Sequence, residues 1–211
     1  MVNELIIFDF DGTLIKRDSY LPLVVFLIRK IGHYYLIVLF FLFYLLFKIN
    51  LLDTFTLKRI FAFVFLKGRQ ISQIRYLTSC FWKEKFSRLV DPEIMKIFQN
   101  SLNEGKRIII ISASFGFVVE EFCKILGVSV EVLATPAITK GDYFTGRIGE
   151  ECKGKMKVMK LLELIGNRDN YFIEVFSDNS SDLPLFSIAD RSYKIRKNRR
   201  IEPINIKGEK L

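Results

Sequence analysis

Apolar residues fall into short runs and longer periodic stretches along this chain. Glu4-Leu5-Ile6-Ile7-Phe8-Asp9-Phe10 and Lys106–Ser112 are apolar runs closed by polar or glycine positions. Val130–Leu133 and Tyr171–Ser177 are two more. Such runs read as strands of a parallel sheet, buried on both faces. Phe115, Val118, Val119, Phe122 and Leu126 have helical spacing, and Gly127 supplies a stop. Val158–Ile165 ends in the same way at Gly166, and a further helix is expected near Leu183–Ala189. Lys140-Gly141-Asp142, within residues 138–148, is a hairpin signal. Tyr193–Ile195 reads as an edge strand, and the polar, basic tail from Arg196 as frayed. The strand–helix alternation predicts an α/β fold with a Rossmann-like, doubly wound parallel sheet.

Residues 14–100 lack that rhythm and read as four or five helices inserted between the first two strands, punctuated at Lys67-Gly68-Arg69 and Val90-Asp91-Pro92. The expected organisation is a core made of residues 1–13 and 101–211, interrupted by an insertion over 14–100.

Charge sharpens this picture. The chain has 211 residues, 32 Lys+Arg against 23 Asp+Glu, and is 50% hydrophobic, which excludes a disordered chain. Residues 19–90 carry eleven cations and only Asp53 and Glu84 as acids, a surplus equal to the net +9 of the whole protein. The same stretch is rich in Phe, Leu and Ile. A surface both basic and apolar suits an anionic membrane, whereas nucleic-acid grooves need cations with separated stacking aromatics. Cys80, Cys123 and Cys152 form no CxxC pair and suggest a reducing compartment. Met1–Glu4 lacks the basic start of a secretory leader.

The candidate chemistry sits at strand ends. Asp9-Phe10-Asp11-Gly12-Thr13 follows the first strand, so both carboxylates stand where α/β sheets bind ligands. Alternate residues point the same way, so Asp9 and Asp11 can face one phosphorus. Paired carboxylates repel unless a cation intervenes, which implies an oxygen-ligated divalent ion, Mg²⁺. Ser112-Ala113-Ser114 ends the second strand with a hydroxyl, and Ser177-Asp178-Asn179-Ser180-Ser181-Asp182 ends another with two acids. Cys152-Lys153-Gly154-Lys155-Met156-Lys157-Val158 brings lysines to a helix start. His33, the only histidine, lies in an apolar block and reads as a packing or interfacial residue.

These four segments, in this order, resemble the motifs of the haloacid dehalogenase superfamily phosphatases, in the phosphoserine-phosphatase-like branch. The resemblance implies a helical cap at residues 14–100. It also implies Asp9 as nucleophile, Asp11 as general acid and then base, and Lys157 as the charge-neutralising cation. Ser112, Ala113 through its N–H, and Ser181 would hold phosphoryl oxygens. Asp9, Asp11 through its carbonyl, and Asp178 would ligate Mg²⁺, with Asp182 in its outer sphere. Two departures stand out. Ser177 replaces the usual glycine, and Lys155 competes with Lys157 for the lysine role. The substrate implied is a phosphomonoester.

Ile31–Phe47 contains no charge and is flanked by Arg29-Lys30 and Lys48. As a helix it reaches about 25 Å, at the lower limit of a membrane span. Asp9 and Ser112 flank the insertion yet must meet at one phosphate, so crossings between them must be even in number. A cap that dips into one leaflet, or a re-entrant hairpin, is expected, with a wholly packed cap core as the alternative. The combination resembles the phosphatidylglycerophosphatase C type of bacterial enzyme and implies a lipid phosphate at the cytoplasmic face of the inner membrane. The alternatives are a cytoplasmic phosphatase for a soluble metabolite, such as phosphoserine or a sugar phosphate, and a non-catalytic membrane adaptor on the same fold.

Overall fold

The computed structural model describes residues 3–32, 35–49 and 51–205. Strand β1 (Asn3–Phe8) lies at the centre of a six-stranded sheet. Its companions are β2 (Arg107–Phe115), β3 (Glu131–Thr135), β6 (Tyr171–Ser177), β7 (Arg191–Ile195) and β8 (Ile201–Ile204). They run in the order β3-β2-β1-β6-β7-β8, all parallel except the last pair. Chain order reverses between β1 and β6, which makes their carboxyl ends the switch point of a doubly wound sheet. Phe8 lies level with Ile110 of β2 and Phe176 of β6, so β1 and β6 end together while β2 runs on to Phe115 beside them.

Both faces are buried, which explains the unbroken apolar runs. Leu5, Ile7, Ile109, Ile173 and Val175 pack one face against α7 (Lys155–Ile165) and α8 (Leu183–Ser187). On the other face, Ile6, Phe8, Ile110 and Phe176 join a larger cluster that continues into the insertion. There α6 (Gly116–Leu126), closed by Gly127 in the left-handed conformation, packs through Phe122 against Trp82 of α4 (Ile71–Leu89) at 5.1 Å between ring centroids. The Trp82 indole N–H donates to Val118 O. The helix α5 (Pro92–Asn103) starts at Asp91, whose carboxylate caps the N–H groups of Glu93 and Ile94, and sets Phe98 against Phe8.

The remaining helices of residues 14–100 are α1 (Tyr20–Ile31), α2 (Tyr35–Lys48) and α3 (Thr54–Phe61), which runs into a π-helical turn at Ala62–Leu66. The two chain connections to this region lie side by side: Lys16 N–H donates to Leu89 O, and Asp91 N–H to Leu14 O. A hairpin, β4 (Ala137–Lys140) with β5 (Tyr143–Ile148), reaches across to it through Gly68, Arg69 and Ile71. His33 lies outside the described residues.

The tail differs from the sequence expectation. Residues 201–204 form β8, so β7 is an inner strand and β8 the edge. The polar composition of the tail hid this, because a short edge strand needs little apolar content: here Ile201 and Ile204 alone pack on the two core clusters. Residues 206–211 lie outside the described residues.

Among the described residues no helix is long and apolar enough to cross a membrane. The helix α2 has 14 residues, about 21 Å of helix, and is apolar on every side. Phe43, Tyr44 and Phe47 pack inward, while Val38, Phe41, Leu42 and Leu45 are exposed.

Candidate active site

Asp9 extends the β1–β6 ladder by one bond, its N–H donating to Phe176 O at 2.9 Å. The residue is 5% exposed. Lys157, on the first turn of α7 and 2% exposed, donates to Asp9 Oδ1 and to Asp182 Oδ2, each at 2.7 Å. Lys155 is exposed. Burial pushes the Asp9 carboxyl up to about 7 against the pull of Lys157, and the negative charges of Asp182 and Asp178 add to the push. For Lys157 burial acts downward, but Asp9 and Asp182 outweigh it and hold the ammonium above its ordinary value.

Ser177, the residue that departs from the usual glycine, has a task here. Its hydroxyl donates to Asp182 Oδ2 at 2.6 Å and accepts from Asn179 N–H. Asp182 thereby becomes a fixed anchor for Lys157. Asp182 Oδ1 is buried without a hydrogen-bond partner.

Asp11 is gripped on both oxygens. Ser19 N–H, just before α1, donates to Oδ1 at 2.7 Å, and the Ser114 hydroxyl donates to Oδ2. Burial, with the nearby Asp18 charge, raises its carboxyl to about 6, although Ser114 and Ser19 favour the ionised form. A carboxyl near 6 suits a group that must give and take a proton near neutral pH. Gly12, at φ +80°, bends the chain so closely around Asp178 that a β-carbon would collide with the carboxylate. The Thr13 hydroxyl accepts from Asp178 N–H at 3.1 Å. Burial also raises the Asp178 carboxyl.

Ser112, 1% exposed, accepts from Ser114 N–H. Ala113 O accepts from Thr135 Oγ1 and from Lys58 Nζ, which is also paired with Glu151. Ser181 stands at the rim with its N–H on Asn179 Oδ1. Asp9, Asp11, Lys157, Ser112, Ala113 and Ser181 all face one cleft of about 990 Å³, while Asp178 and Asp182 stand beside and behind its floor.

Among the described residues no three His, Cys, Asp or Glu side chains converge on one point. Mg²⁺ does not require that, since it keeps several waters and takes one or two carboxylates plus substrate phosphate. Asp9 and Asp178 with the Asp11 carbonyl form an all-oxygen set. The unpartnered Asp182 Oδ1 is an acceptor suited to a metal-bound water. The residues present fit the ion.

Sequence reasoning missed four contributors. Ser114 had a signal, since it lies two residues after Ser112 on one strand. Lys58 and Glu151 had none, because they reach the site only through tertiary packing, and Ser19 had none because it acts through its backbone N–H, which its residue type does not reveal.

The family described as haloacid dehalogenase-like hydrolase matches residues 6–187. Protein CicA of Caulobacter vibrioides is 27% identical over 133 residues, which is 62% of this chain and 60% of that protein. The chain thus spans somewhat under two thirds of that relative. Among solved structures, a Bordetella pertussis Tohama I protein of unknown function aligns with a TM-score of 0.77 and 19% identity, covering 91% of this chain and 89% of that one. A phosphoserine phosphatase captured as a phospho-aspartyl intermediate analogue aligns at 0.55 and 19% identity, over 91% and 86%. A phosphoserine phosphohydrolase-like protein from Francisella tularensis aligns at 0.57 and 21%, over 91% and 86%. At these identities the likeness is one of fold.

Proposed function

The chain belongs to the haloacid dehalogenase-like hydrolases, and from that premise we propose that it is a Mg²⁺-dependent phosphomonoester phosphatase working through an aspartyl-phosphate. The carrying observation is that Lys157 ties Asp9 to Asp182 while Asp11 is held in the same cleft. In this reading Asp9 attacks phosphorus in line, and the P–O bond to the alcohol breaks. Asp11 donates its proton to the departing oxygen, then takes one from the water that cleaves the acyl phosphate and returns Asp9. Lys157 offsets negative charge on the transferring group, and Ser112 Oγ with the Ala113 N–H steers its oxygens. Asp9, Asp178 and the Asp11 carbonyl would hold Mg²⁺, with Asp182 behind them. Bound there, the ion supplies charge neutralisation between carboxylates and phosphate.

The cleft favours a lipid phosphate such as phosphatidylglycerophosphate. Its floor is ionic, whereas Leu21, Pro22, Tyr44, Phe47 and Leu57 make an apolar wall. Lys16, Arg17, Lys85 and Arg88 ring the mouth. The outer stripe of α2 would rest in one leaflet of an anionic membrane at its cytoplasmic face, with residues 14–100 serving as cap. Phosphate release from vesicle-borne lipid phosphates, phosphoserine and sugar phosphates, with Mg²⁺ and with EDTA, tests both levels. Metal-dependent release from lipid above all others supports the whole reading. Preference for a soluble ester keeps the phosphatase and removes the lipid. No release from any ester favours a non-catalytic role.

A further inference from the structure

Arg199 lies in the turn between β7 and β8, 187 residues from Gly12, and no sequence motif points to it. It is the one described residue other than glycine with a positive φ, at 67°. That conformation is disfavoured for an L side chain and persists where other contacts hold it. The turn itself is closed by Arg199 N–H on Arg196 O and Arg196 N–H on Arg200 O, and three side-chain contacts fix where it lies. Nε donates to Asp91 Oδ2 at 2.5 Å, Nη1 to Gly12 O at 2.5 Å and Nη2 to Thr13 O at 2.8 Å. Asp91 is 2% exposed and its other oxygen caps α5, so it is a fixed post. Thr13 is fully buried, and its carbonyl needs a donor.

We infer that Arg199 is a positioning residue of the catalytic centre: through the Gly12 and Thr13 carbonyls it holds the Asp9–Thr13 loop against Asp178. Gly12 packs directly on the Asp178 carboxylate, and Thr13 Oγ1 accepts from the Asp178 N–H. Any relaxation of the loop therefore moves Asp11 and Asp178 relative to Asp9. A guanidinium suits these three acceptors, because its donors are spread over three nitrogens in one rigid plane. Lysine supplies the charge without the fork. The C-terminal hairpin is thus part of the active site, although none of its side chains need touch substrate.

The assignment rests on the phosphatase reading, and the test separates the two. Purified Arg199→Ala is assayed with p-nitrophenyl phosphate across a Mg²⁺ titration. In parallel, the rise in melting temperature caused by Mg²⁺ alone is measured without substrate. We expect kcat to fall and the Mg²⁺ activation constant to rise, each on the order of 10–100-fold, as for other residues that orient metal ligands. KM should change little. Arg199→Lys should recover only part of the loss, free guanidinium ion should restore part of the Arg199→Ala activity, and Arg200→Ala should match wild type. If Arg199→Ala does not fold, Arg199→Lys decides by the same measurements. Variants that keep wild-type kcat and Mg²⁺ constants and differ only in melting temperature would overturn the proposal, reducing Arg199 to a bolt for the hairpin. If the wild type releases no phosphate, the phosphatase reading fails alone. The Mg²⁺-induced melting shift then still decides: a smaller shift in the variant supports the proposal, and equal shifts overturn it.

Discussion

On the floor of the cleft, Asp9 and Lys157 are 5% and 2% exposed, yet both are ionisable. On α2, Val38 and Leu45 are 75% and 57% exposed, yet both are apolar. The two regions break opposite rules within one cleft, because the inward Tyr44 and Phe47 of α2 line it too. Buried charge is tolerated only when paired, and here one ammonium serves two carboxylates while the Asp178 carboxylate accepts from the neutral Thr13 hydroxyl. Exposed apolar surface on this scale marks a contact site. In the proposed reading each region is completed by something added: cation and phosphate for the floor, an apolar phase for the helix. On that reading the floor serves chemistry that tolerates no displacement, whereas the helix serves a partner without fixed geometry.

The sharpest break of this contrast is Asp9→Asn, which leaves shape intact and removes the nucleophile. Phosphate release should fall by at least on the order of 10⁴-fold, with unchanged binding to anionic vesicles. Unaltered turnover would end the aspartyl-phosphate reading. Lys157→Ala comes next. It strips the shared cation, at about 3 kcal/mol or roughly 10²-fold in turnover, whereas Lys155→Ala should sit near wild type in the same assay.

The opposite break is Leu42→Glu with Leu45→Glu, both on the outer stripe of α2. Neither side chain supports the core, so melting temperature should hold. Sedimentation with anionic vesicles should weaken at least roughly tenfold, since each carboxylate costs up to about 3 kcal/mol in hydrocarbon. Turnover of p-nitrophenyl phosphate should persist while lipid phosphate hydrolysis falls. Equal binding by wild type and variant would remove the membrane from the account.

The smallest effect is one of pH. Asp9 and Asp11 are raised from 3.8 to about 7 and about 6, so between about pH 4 and 7 the folded metal-free protein holds more protons than the unfolded chain. Their contribution to stability is present below about pH 4 and is lost as pH rises through 6 and 7. In EDTA the melting temperature should therefore fall by several degrees between about pH 5 and 8. Added Mg²⁺ should recover more at pH 8 than at pH 5, because only ionised carboxylates bind it. A flat profile would show that the floor is not strained by its buried acids.

Periodicity alone determined much of this protein. Buried strands at Asn3–Phe8, Arg107–Phe115 and Tyr171–Ser177 are local patterns, since a run of Ile and Phe closed by polar residues has few other ways to bury itself. Because parallel strands end together, Asp9, Ser112 and Asp178 could be gathered at one edge before any coordinates. Lys157 was legible as one of two candidates, and only the turn of α7 toward Asp9 distinguishes it from the exposed Lys155. Tertiary structure decided the rest. Lys58, Glu151 and Arg199 act across large sequence separations, through packing of α3, the segment before α7 and the β7–β8 turn that no local pattern encodes, whereas Ser19 reaches Asp11 by a local turn of the chain. The tail looked frayed because its strand pairs at an edge, where ladder bonds and only two apolar side chains, Ile201 and Ile204, hold it. Local chemistry selects elements and strand-end residues. Which distant donors satisfy their buried oxygens is set only when the chain closes around them.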